Sequence, residues 1–185
     1  AVVSASGTVN AVTTVLVGTQ VSGTIKNIYA DYNSRVTPGQ LIAQIDPAIF
    51  LAQVEQARAN LLAARANVAK AEAALLDAKR VMQRNRELFA RNLIPMSDRD
   101  TAETNYESAK AQVQAALGQV AQTEAALKLA ETNLRYTRIL SPVDGIVVSR
   151  NVDVGQTVAA SMSAPVISLL MAAVVCLAIV ELVDE

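Results

Sequence analysis

Residues 54–82 read VEQARANLLAARANVAKAEAALLDAKRVM, and this stretch decides the fold of the middle of the chain. Large residues return at every seventh position, and so do small ones. The large column contains Val54, Leu61, Val68, Leu75, Met82 and Phe89, and the small column contains Ala57, Ala64, Ala71, Ala78 and Asn85. Two stripes with strict sevenfold spacing predict an α-helix that packs in a left-handed coiled coil.

A second stretch, after Pro95, repeats the pattern. Its large column contains Tyr106, Val113, Val120, Leu127 and Leu134, and its small column contains Ala102, Ala109, Ala116, Thr123 and Ala130. In an antiparallel pair, the numbers of facing residues have a constant sum. The first five members of the large column in one arm pair with those of the other at a sum of 188, and the small columns pair at 187. The two stretches therefore predict one antiparallel hairpin over residues 47–136.

The ends of the two arms carry helix-terminating signals. Asp46 and Pro47 suit the cap and the first turn of the first arm. The pattern stops near Asn92, and Ser97 is the predicted cap of the second arm. At about 1.5 Å per residue, each arm of about 40–45 residues spans roughly 60–67 Å.

The two flanking segments are related by an internal repeat. Residues 23–36 (GTIKNIYADYNSRV) align with residues 145–158 (GIVVSRNVDVGQTV) at a shift of 122. The shift superimposes Gly23 on Gly145, and it superimposes Asn33 on Gly155, two residue types that tolerate a positive φ in a tight turn. Further strands, LIAQI at 41–45 and VISLL at 166–170, follow each copy. We therefore predict one small β-domain, split by the hairpin.

Composition excludes several classes of function. Sixteen Lys and Arg against seventeen Asp and Glu offer no basic field for nucleic acid. The chain has no histidine, which excludes histidine-based catalytic triads and most zinc sites. A single cysteine, Cys176, excludes an internal disulfide. The chain begins at Ala1 without a methionine, and we expect it to be a processed or trimmed piece.

These motifs resemble those of a known family. GTIKNIYADYNSRVTPGQLIAQID is similar to the first half of a lipoyl-type domain, and LRYTRILSPVDGIVVSRNVDVGQTV is similar to the second half. With the hairpin between them, the chain up to about residue 170 resembles the HlyD-like periplasmic adaptors, also called membrane fusion proteins. The long arms and the phrase VGTQVSG resemble most closely the macrolide-exporter adaptors that work with ABC transporters.

The resemblance implies an α+β fold, in which a coiled-coil α-hairpin is inserted into a split lipoyl-like β-sandwich and a partial β-barrel domain lies at the chain ends. The expected boundaries are 1–13 for the start of the barrel, 14–46 and 137–170 for the lipoyl-like halves, 47–136 for the hairpin and 171–185 for a truncated barrel strand.

The resemblance also implies a function without catalysis or cofactor. Such adaptors lie in the periplasm of Gram-negative bacteria, tied to the inner membrane. They assemble into a funnel or tube, as a hexamer by resemblance, between an inner-membrane transporter and a TolC-like outer-membrane channel. An ABC transporter is favoured here and an RND pump is possible.

The channel-docking tip follows from the same resemblance. The family motif has an Arg, a Leu four residues later and a Ser seven residues after that. Arg84 and Leu88 match it, Pro95 stands at the Ser position, and Ser97 lies two residues further on. The alternative for Arg84 is a solvated face of a coiled coil.

Other features have competing interpretations. Lys26 could be a lipoylated lysine, but a surface lysine is favoured because neither repeat turn carries a lysine. Asp98, Asp100 and Glu103 could bind a metal, but acidic residues are favoured at a helix N-terminus in any case. The apolar residues 166–180 are shorter than a membrane span, so we expect a strand with Cys176 as a small buried residue.

Two other functions fit parts of the sequence. A structural coiled-coil scaffold without a transport role would explain the hairpin, but it would not explain the split β-repeat. An enzyme carrier domain would explain the lipoyl-like halves, but it requires a modified lysine. Outer-face alanines at sevenfold spacing (Ala52, Ala59, Ala66 and Ala73) favour packing against further copies of the chain.

Overall fold

The computed structural model describes residues 13–160 and 167–171. Its elements, in chain order, are β1 (Thr13–Val17), β2 (Gly23–Ile28), β3 (Arg35–Val36), β4 (Leu41–Ile45), α1 (Ala48–Ala90), α2 (Met96–Tyr136), β5 (Arg138–Leu140), β6 (Gly145–Arg150), β7 (Thr157–Val158) and β8 (Ile167–Met171). The chain divides into two compact units: the helices over Ala48–Leu134, and a β-domain contributed by the segments on both sides. The predicted insertion of a hairpin into a split β-domain is confirmed.

The β-domain consists of two four-stranded antiparallel sheets. One sheet has the order β1-β8-β6-β3, and the other has the order β5-β4-β2-β7. Each sheet contains strands from both sides of the hairpin, so neither flanking segment can complete a sheet alone. Strand β4 supplies the centre of the core, since Ile42, Ala43 and Ile45 are all fully buried.

The internal repeat is visible in the strands themselves. Strands β2 and β6 are displaced by 122 residues at both ends, and so are β3 and β7. The equivalent apolar pairs Ile25/Val147, Ala30/Val152 and Val36/Val158 are all buried. Asn33 has a φ of 63° and Gly155 has a φ of 87°, so the predicted positive φ is present in both turns. The two copies of the sequence repeat therefore form structurally equivalent strands and turns.

The helical unit follows the heptad pattern. Every position of the two predicted columns is buried or half-buried along both helices, from Val54 to Phe89 and from Ala102 to Leu134. Arg65 pairs with Glu124 at 2.9 Å, and Arg86 pairs with Glu103. The residue numbers of both pairs add up to 189, close to the predicted 188 and 187. The antiparallel register of the hairpin is thereby confirmed.

Both helix starts differ from the prediction, and α1 begins at Ala48 and not at Pro47. Helix α1 ends at Ala90, as the pattern indicates, but α2 begins at Met96, before Ser97. Ser97 is thus a residue of the first turn and not its cap. Its hydroxyl donates to the Asp98 carboxylate at 3.3 Å, and its carbonyl accepts a bond from the Thr101 hydroxyl at 2.8 Å. Pro95 precedes the helix directly, where its fixed φ is favourable.

Several predictions fall on the chain ends. Thr13 and Met171 pair with each other as the ends of β1 and β8. The rest of the predicted barrel segments, residues 1–12 and 172–185, lies outside the described residues, as does Cys176. Part of the apolar stretch 166–180 forms β8, and no helix in the described part of the chain is long and apolar enough to cross a membrane. The domain boundaries as a whole stay a prediction.

Candidate docking site at the hairpin tip

The turn between the helices begins with a Schellman motif. The Leu93 N–H donates to the Leu88 carbonyl at 2.9 Å, and the Asn92 N–H donates to the Phe89 carbonyl at 2.8 Å. Asn92 has a φ of 56°, the left-handed conformation that this motif requires after a helix. Because the motif satisfies the last carbonyls of α1, it holds the turn in one conformation.

The other end of the turn is held by Pro95 and the first turn of α2. The Pro95 carbonyl accepts a bond from the Asp98 N–H at 3.2 Å. The Asn85 side chain of α1 donates to the Asp98 carbonyl at 3.2 Å, which ties the two arms together next to the turn. A proline at this position restricts the chain and supplies no hydroxyl for a partner.

Arg84 lies on the exposed surface of α1, close to its end. Arg86 is paired with Glu103, whereas the Arg84 guanidinium has no ion pair or hydrogen bond to any residue in ranges 13–160 and 167–171. Its donors are therefore available to an acceptor on another molecule.

Leu88 lies one helical turn after Arg84 and is half-buried. Residues spaced by four share one face of a helix, so Arg84 and Leu88 lie side by side. The Leu88 carbonyl also accepts bonds from the N–H groups of Arg91 and Leu93. Leu88 thus contributes to the turn itself, besides presenting part of its side chain to solvent.

Two apolar side chains at the tip were not among the predicted site residues. Leu93 is 65% exposed and Met96 is 57% exposed. The sequence signal was the run Leu-Ile-Pro-Met at residues 93–96, since consecutive exposed apolar residues in a turn are unfavourable unless they have a function. We name Arg84, Leu88, Leu93 and Met96 the tip surface.

The acidic cluster beside the tip is largely paired with arginines. Asp100 bonds Arg99 at 2.6 Å, and Glu103 bonds Arg86. The guanidinium of Arg99 also stacks 4.8 Å from the centre of the Phe89 ring. Asp100 is thus paired within α2, and Glu103 is paired across to α1, which favours the structural interpretation of this cluster.

In the β-domain, Lys26 lies within β2 and not in a turn. Its ammonium group is 3.6 Å from the Asp46 carboxylate, and both side chains are about half exposed. In lipoyl-type domains the modified lysine stands at the tip of a turn, so the position of Lys26 favours a surface ion pair.

One arginine joins the two repeat turns. Arg150 Nε donates to Asp31 at 3.1 Å, and its Nη1 donates to Asp153 at 2.7 Å. Asp31 and Asp153 are equivalent residues of the two repeats. The hydrogen bond to Asp153, followed by the nearby charge of Asp31, raises the pKa of Arg150 above its usual range, and partial burial opposes this rise.

Known proteins share this arrangement. Residues 13–170 match the family described as RND MFP, barrel-sandwich hybrid domain. The macrolide export protein MacA of Escherichia coli O157:H7 is 36% identical over 88% of this chain and 44% of its own length. The multidrug resistance protein MdtA of Pantoea ananatis is 33% identical over 80% of this chain and 33% of its own length.

A solved structure shows the same fold. The crystal structure of MacA from Actinobacillus actinomycetemcomitans superposes with a TM-score of 0.81 at 32% identity, over 86% of this chain and 49% of that one. The chain thus spans less than half the length of the curated relatives that it matches. Because the family match covers most of this chain, the chain belongs to the membrane fusion protein family, through its barrel-sandwich hybrid domain.

Proposed function

We propose that this chain is the hairpin and barrel-sandwich part of a periplasmic adaptor in a tripartite efflux or secretion system. It would bridge an inner-membrane transporter and a TolC-like outer-membrane channel in a Gram-negative bacterium, without catalytic activity of its own. The names of its relatives, a macrolide exporter component and a multidrug resistance protein, support this class of function. The resemblance of the long arms and of VGTQVSG to macrolide-exporter adaptors favours an ABC transporter as partner, and an RND pump, the class named in the matching family description, is the alternative.

The observation that carries the proposal is the exposed tip surface on a well-held turn. An adaptor must present a defined end to its channel, and a Schellman motif with Pro95 provides one. The tip surface combines the cation of Arg84, which has no ion pair within the described part of the chain, with the apolar side chains of Leu93 and Met96. Arginine and exposed apolar anchors are typical of the centre of protein interfaces.

A conduit also requires several copies of the chain, and the outer faces of both helices carry exposed apolar residues that could pack against a neighbouring copy. On α1, apolar residues at alternating spacings of three and four are exposed: Ala59, Leu62, Ala66, Ala69, Ala73 and Leu76. On α2, a similar exposed stripe, interrupted by Gln122, consists of Ala111, Ala115, Gly118, Ala125 and Leu129. Both stripes lie on the side of the helix away from the buried columns, so neither has a partner within the hairpin.

The two stripes lie at the same level along the hairpin. With facing numbers that add up to 188, residues 59–76 of α1 lie level with residues 112–129 of α2. A closed ring of identical subunits keeps every copy at one height, so the surfaces that meet in neighbouring copies must be level. This match supports a cyclic homo-oligomer, for which the family resemblance favours a hexamer.

Channel binding tests the tip. We expect Arg84→Asp and Leu88→Asp to weaken binding of the adaptor assembly to a purified TolC-type channel by about tenfold or more, since each removes a central contact. The matched control is Arg80→Asp, which makes the same charge change at an exposed position one turn earlier. Unchanged binding by both tip variants, or an equal loss in Arg80→Asp, would remove the assignment.

Disulfide trapping tests the ring. In a Cys176→Ser background, we expect Ala66→Cys combined with Gln122→Cys to form a ladder of disulfide-linked oligomers on oxidation. The control pair, Ala66→Cys with Ala111→Cys, moves the second cysteine eleven residues along α2, about 16 Å away. Equal cross-linking by both pairs, or none by the first, would count against side-by-side hairpins.

A further inference from the structure

The β-domain contains an open groove of about 410 Å³ that the adaptor role outlined above does not use. It is lined by the end of β1 with the residues that follow it, and by the segment that runs from the end of α2 through β5. Leu16 is 61% exposed and Leu140 is 42% exposed, so the groove presents two large apolar side chains to solvent. Gly18 adds open space, because a Cβ there would meet no atom within 4 Å.

The groove carries positive charge only. Arg135 and Arg138 line it, together with Tyr136, whose ring centre is 5.9 Å from the Arg135 guanidinium. No acidic residue is among the described residues that line it, and neither arginine has an ion-pair partner in the described part of the chain. In a chain of net charge −1, two adjacent unpaired guanidinium groups make this a local anion-binding surface.

Strand β5 offers backbone hydrogen bonds along the same groove. It is the edge strand of its sheet and pairs only with β4 among the described strands. The Thr137 carbonyl accepts from Ile45 and the Ser141 N–H donates to Gln40, so the backbone groups of these residues face β4. Because directions alternate along a strand, the N–H and C=O of Arg138 and Leu140 face the open side.

We propose that the groove binds a short acidic segment of a partner protein in an extended conformation. The segment adds to the open edge of β5, its carboxylates pair with Arg135 and Arg138, and an apolar side chain packs on Leu16 and Leu140. Strand addition is a common mode of peptide recognition, in which the backbone provides affinity and the side chains provide specificity. With three residues in β5, the paired part of the segment is short, about 10 Å long.

A peptide titration against this chain tests the proposal. The probe is a fluorescein-labelled peptide of alternating glutamate and valine, measured by anisotropy, and its counterpart has lysine in place of glutamate. We expect the acidic peptide to bind and the basic one not to bind. The same acidic peptide with N-methyl groups on alternate residues should bind at least about tenfold more weakly, because it lacks donors for the strand edge.

Variants locate the site. We expect Arg135→Glu with Arg138→Glu to weaken binding at least about tenfold. The control, Arg35→Glu with Arg80→Glu, makes the same charge change at exposed arginines outside the groove. If the reversal prevents folding, as circular dichroism would show, Arg135→Gln with Arg138→Gln replaces it and should weaken binding several-fold.

Four results would overturn the proposal. The first is a lack of binding at millimolar peptide, and the second is equal loss in the groove and control variants. The third is undiminished binding of the N-methylated peptide, which would indicate a site for small anions. The fourth is binding that appears only after removal of residues 181–185 (ELVDE), which would make the chain's own acidic residues the occupant.

Discussion

Gly23 in β2 lies opposite Val158 in β7, although the whole hairpin separates the two residues in the chain. The equivalent residues of the repeat make the same pair, with Gly145 in β6 opposite Val36 in β3. The neighbouring hydrogen bonds repeat as well. Ile25 N–H donates to Gln156 at 2.9 Å, and the equivalent Val147 N–H donates to Ser34 at 3.0 Å. Each half of the repeat therefore closes the sheet of the other half.

Gly23→Ala tests how closely the core packs on β2 at Gly23. A Cβ at Gly23 would lie 2.5 Å from Cγ2 of Ile45, a fully buried side chain. We expect a loss of about 1–3 kcal/mol in the free energy of unfolding, measured in denaturant, because a crowded core must shift. Gly18→Ala is the control, since a Cβ there meets open space. Equal stability of the two variants would contradict the packing described.

Arg150→Gln tests the link between the repeat turns. The substitution removes the cation that Asp31 and Asp153 share, so we expect a lower melting temperature and a weaker dependence of that temperature on salt. Arg35→Gln is the control, because this exposed arginine of β3 has no ion pair among residues 13–160 and 167–171. Identical salt dependence of Arg150→Gln and the wild type would show that the link contributes nothing to stability.

The same variant has a defined pH dependence. Because folding raises the pKa of Arg150, its contribution is complete below the pKa of the unfolded chain and is lost only as the pH rises through the still higher folded value. The difference in melting temperature between wild type and Arg150→Gln should thus stay constant from neutral pH to about pH 10. If the difference disappears within this range, the stabilisation does not come from the charged guanidinium of Arg150.

Asn92 tests the turn at the tip. Its φ of 56° is unfavourable for most residues, tolerated by asparagine and free of strain for glycine. We expect Asn92→Ala to lower the free energy of unfolding of the hairpin by about 1 kcal/mol, and Asn92→Gly to leave it equal or slightly higher. Thermal unfolding followed by circular dichroism measures both. Equal effects of alanine and glycine would argue against the left-handed conformation.

Gly118 lies within α2, where a Cβ would meet no atom within 4 Å. Alanine is the better helix former, so Gly118→Ala should raise the free energy of unfolding by about 0.5–1 kcal/mol. Helical content and melting temperature, measured at a protein concentration that keeps the chain monomeric, check this. A decrease in the monomer would contradict the open surroundings of Gly118.

The hairpin could be predicted from the sequence because its contacts are periodic. Residues seven apart share one side of a helix, so the columns from Val54 and Ala57 onward define the buried side, and the constant number sum defines the register. The split β-domain could be predicted for a similar reason. The repeat at a shift of 122 placed Gly23 and Gly145 in equivalent strands and gave Asn33 and Gly155 equivalent turns.

Only part of the tip could be predicted from the sequence. The motif match named Arg84, Leu88, Pro95 and Ser97, and their role in docking stays a prediction. The exposure of Leu93 and Met96 was not predicted. The prediction that Ser97 caps α2 was wrong, because the helix begins one residue earlier, at Met96. The exact residue at which a helix begins depends on several nearby polar groups and on a proline. One residue type, such as serine, therefore does not determine it.

By itself, the sequence determined which residues are buried in the hairpin and that the two flanking segments are copies of one unit, because both properties are recorded as spacings along the chain. Only the tertiary structure decided which strands lie at the edges, which arginines are paired and which apolar side chains stay exposed. Leu16 belongs to one sheet, whereas Arg138 and the nearby Arg135 belong to the segment that forms an edge of the other sheet. Their common groove arises because the two sheets lie together in the folded domain, and no spacing along the sequence indicates such a contact.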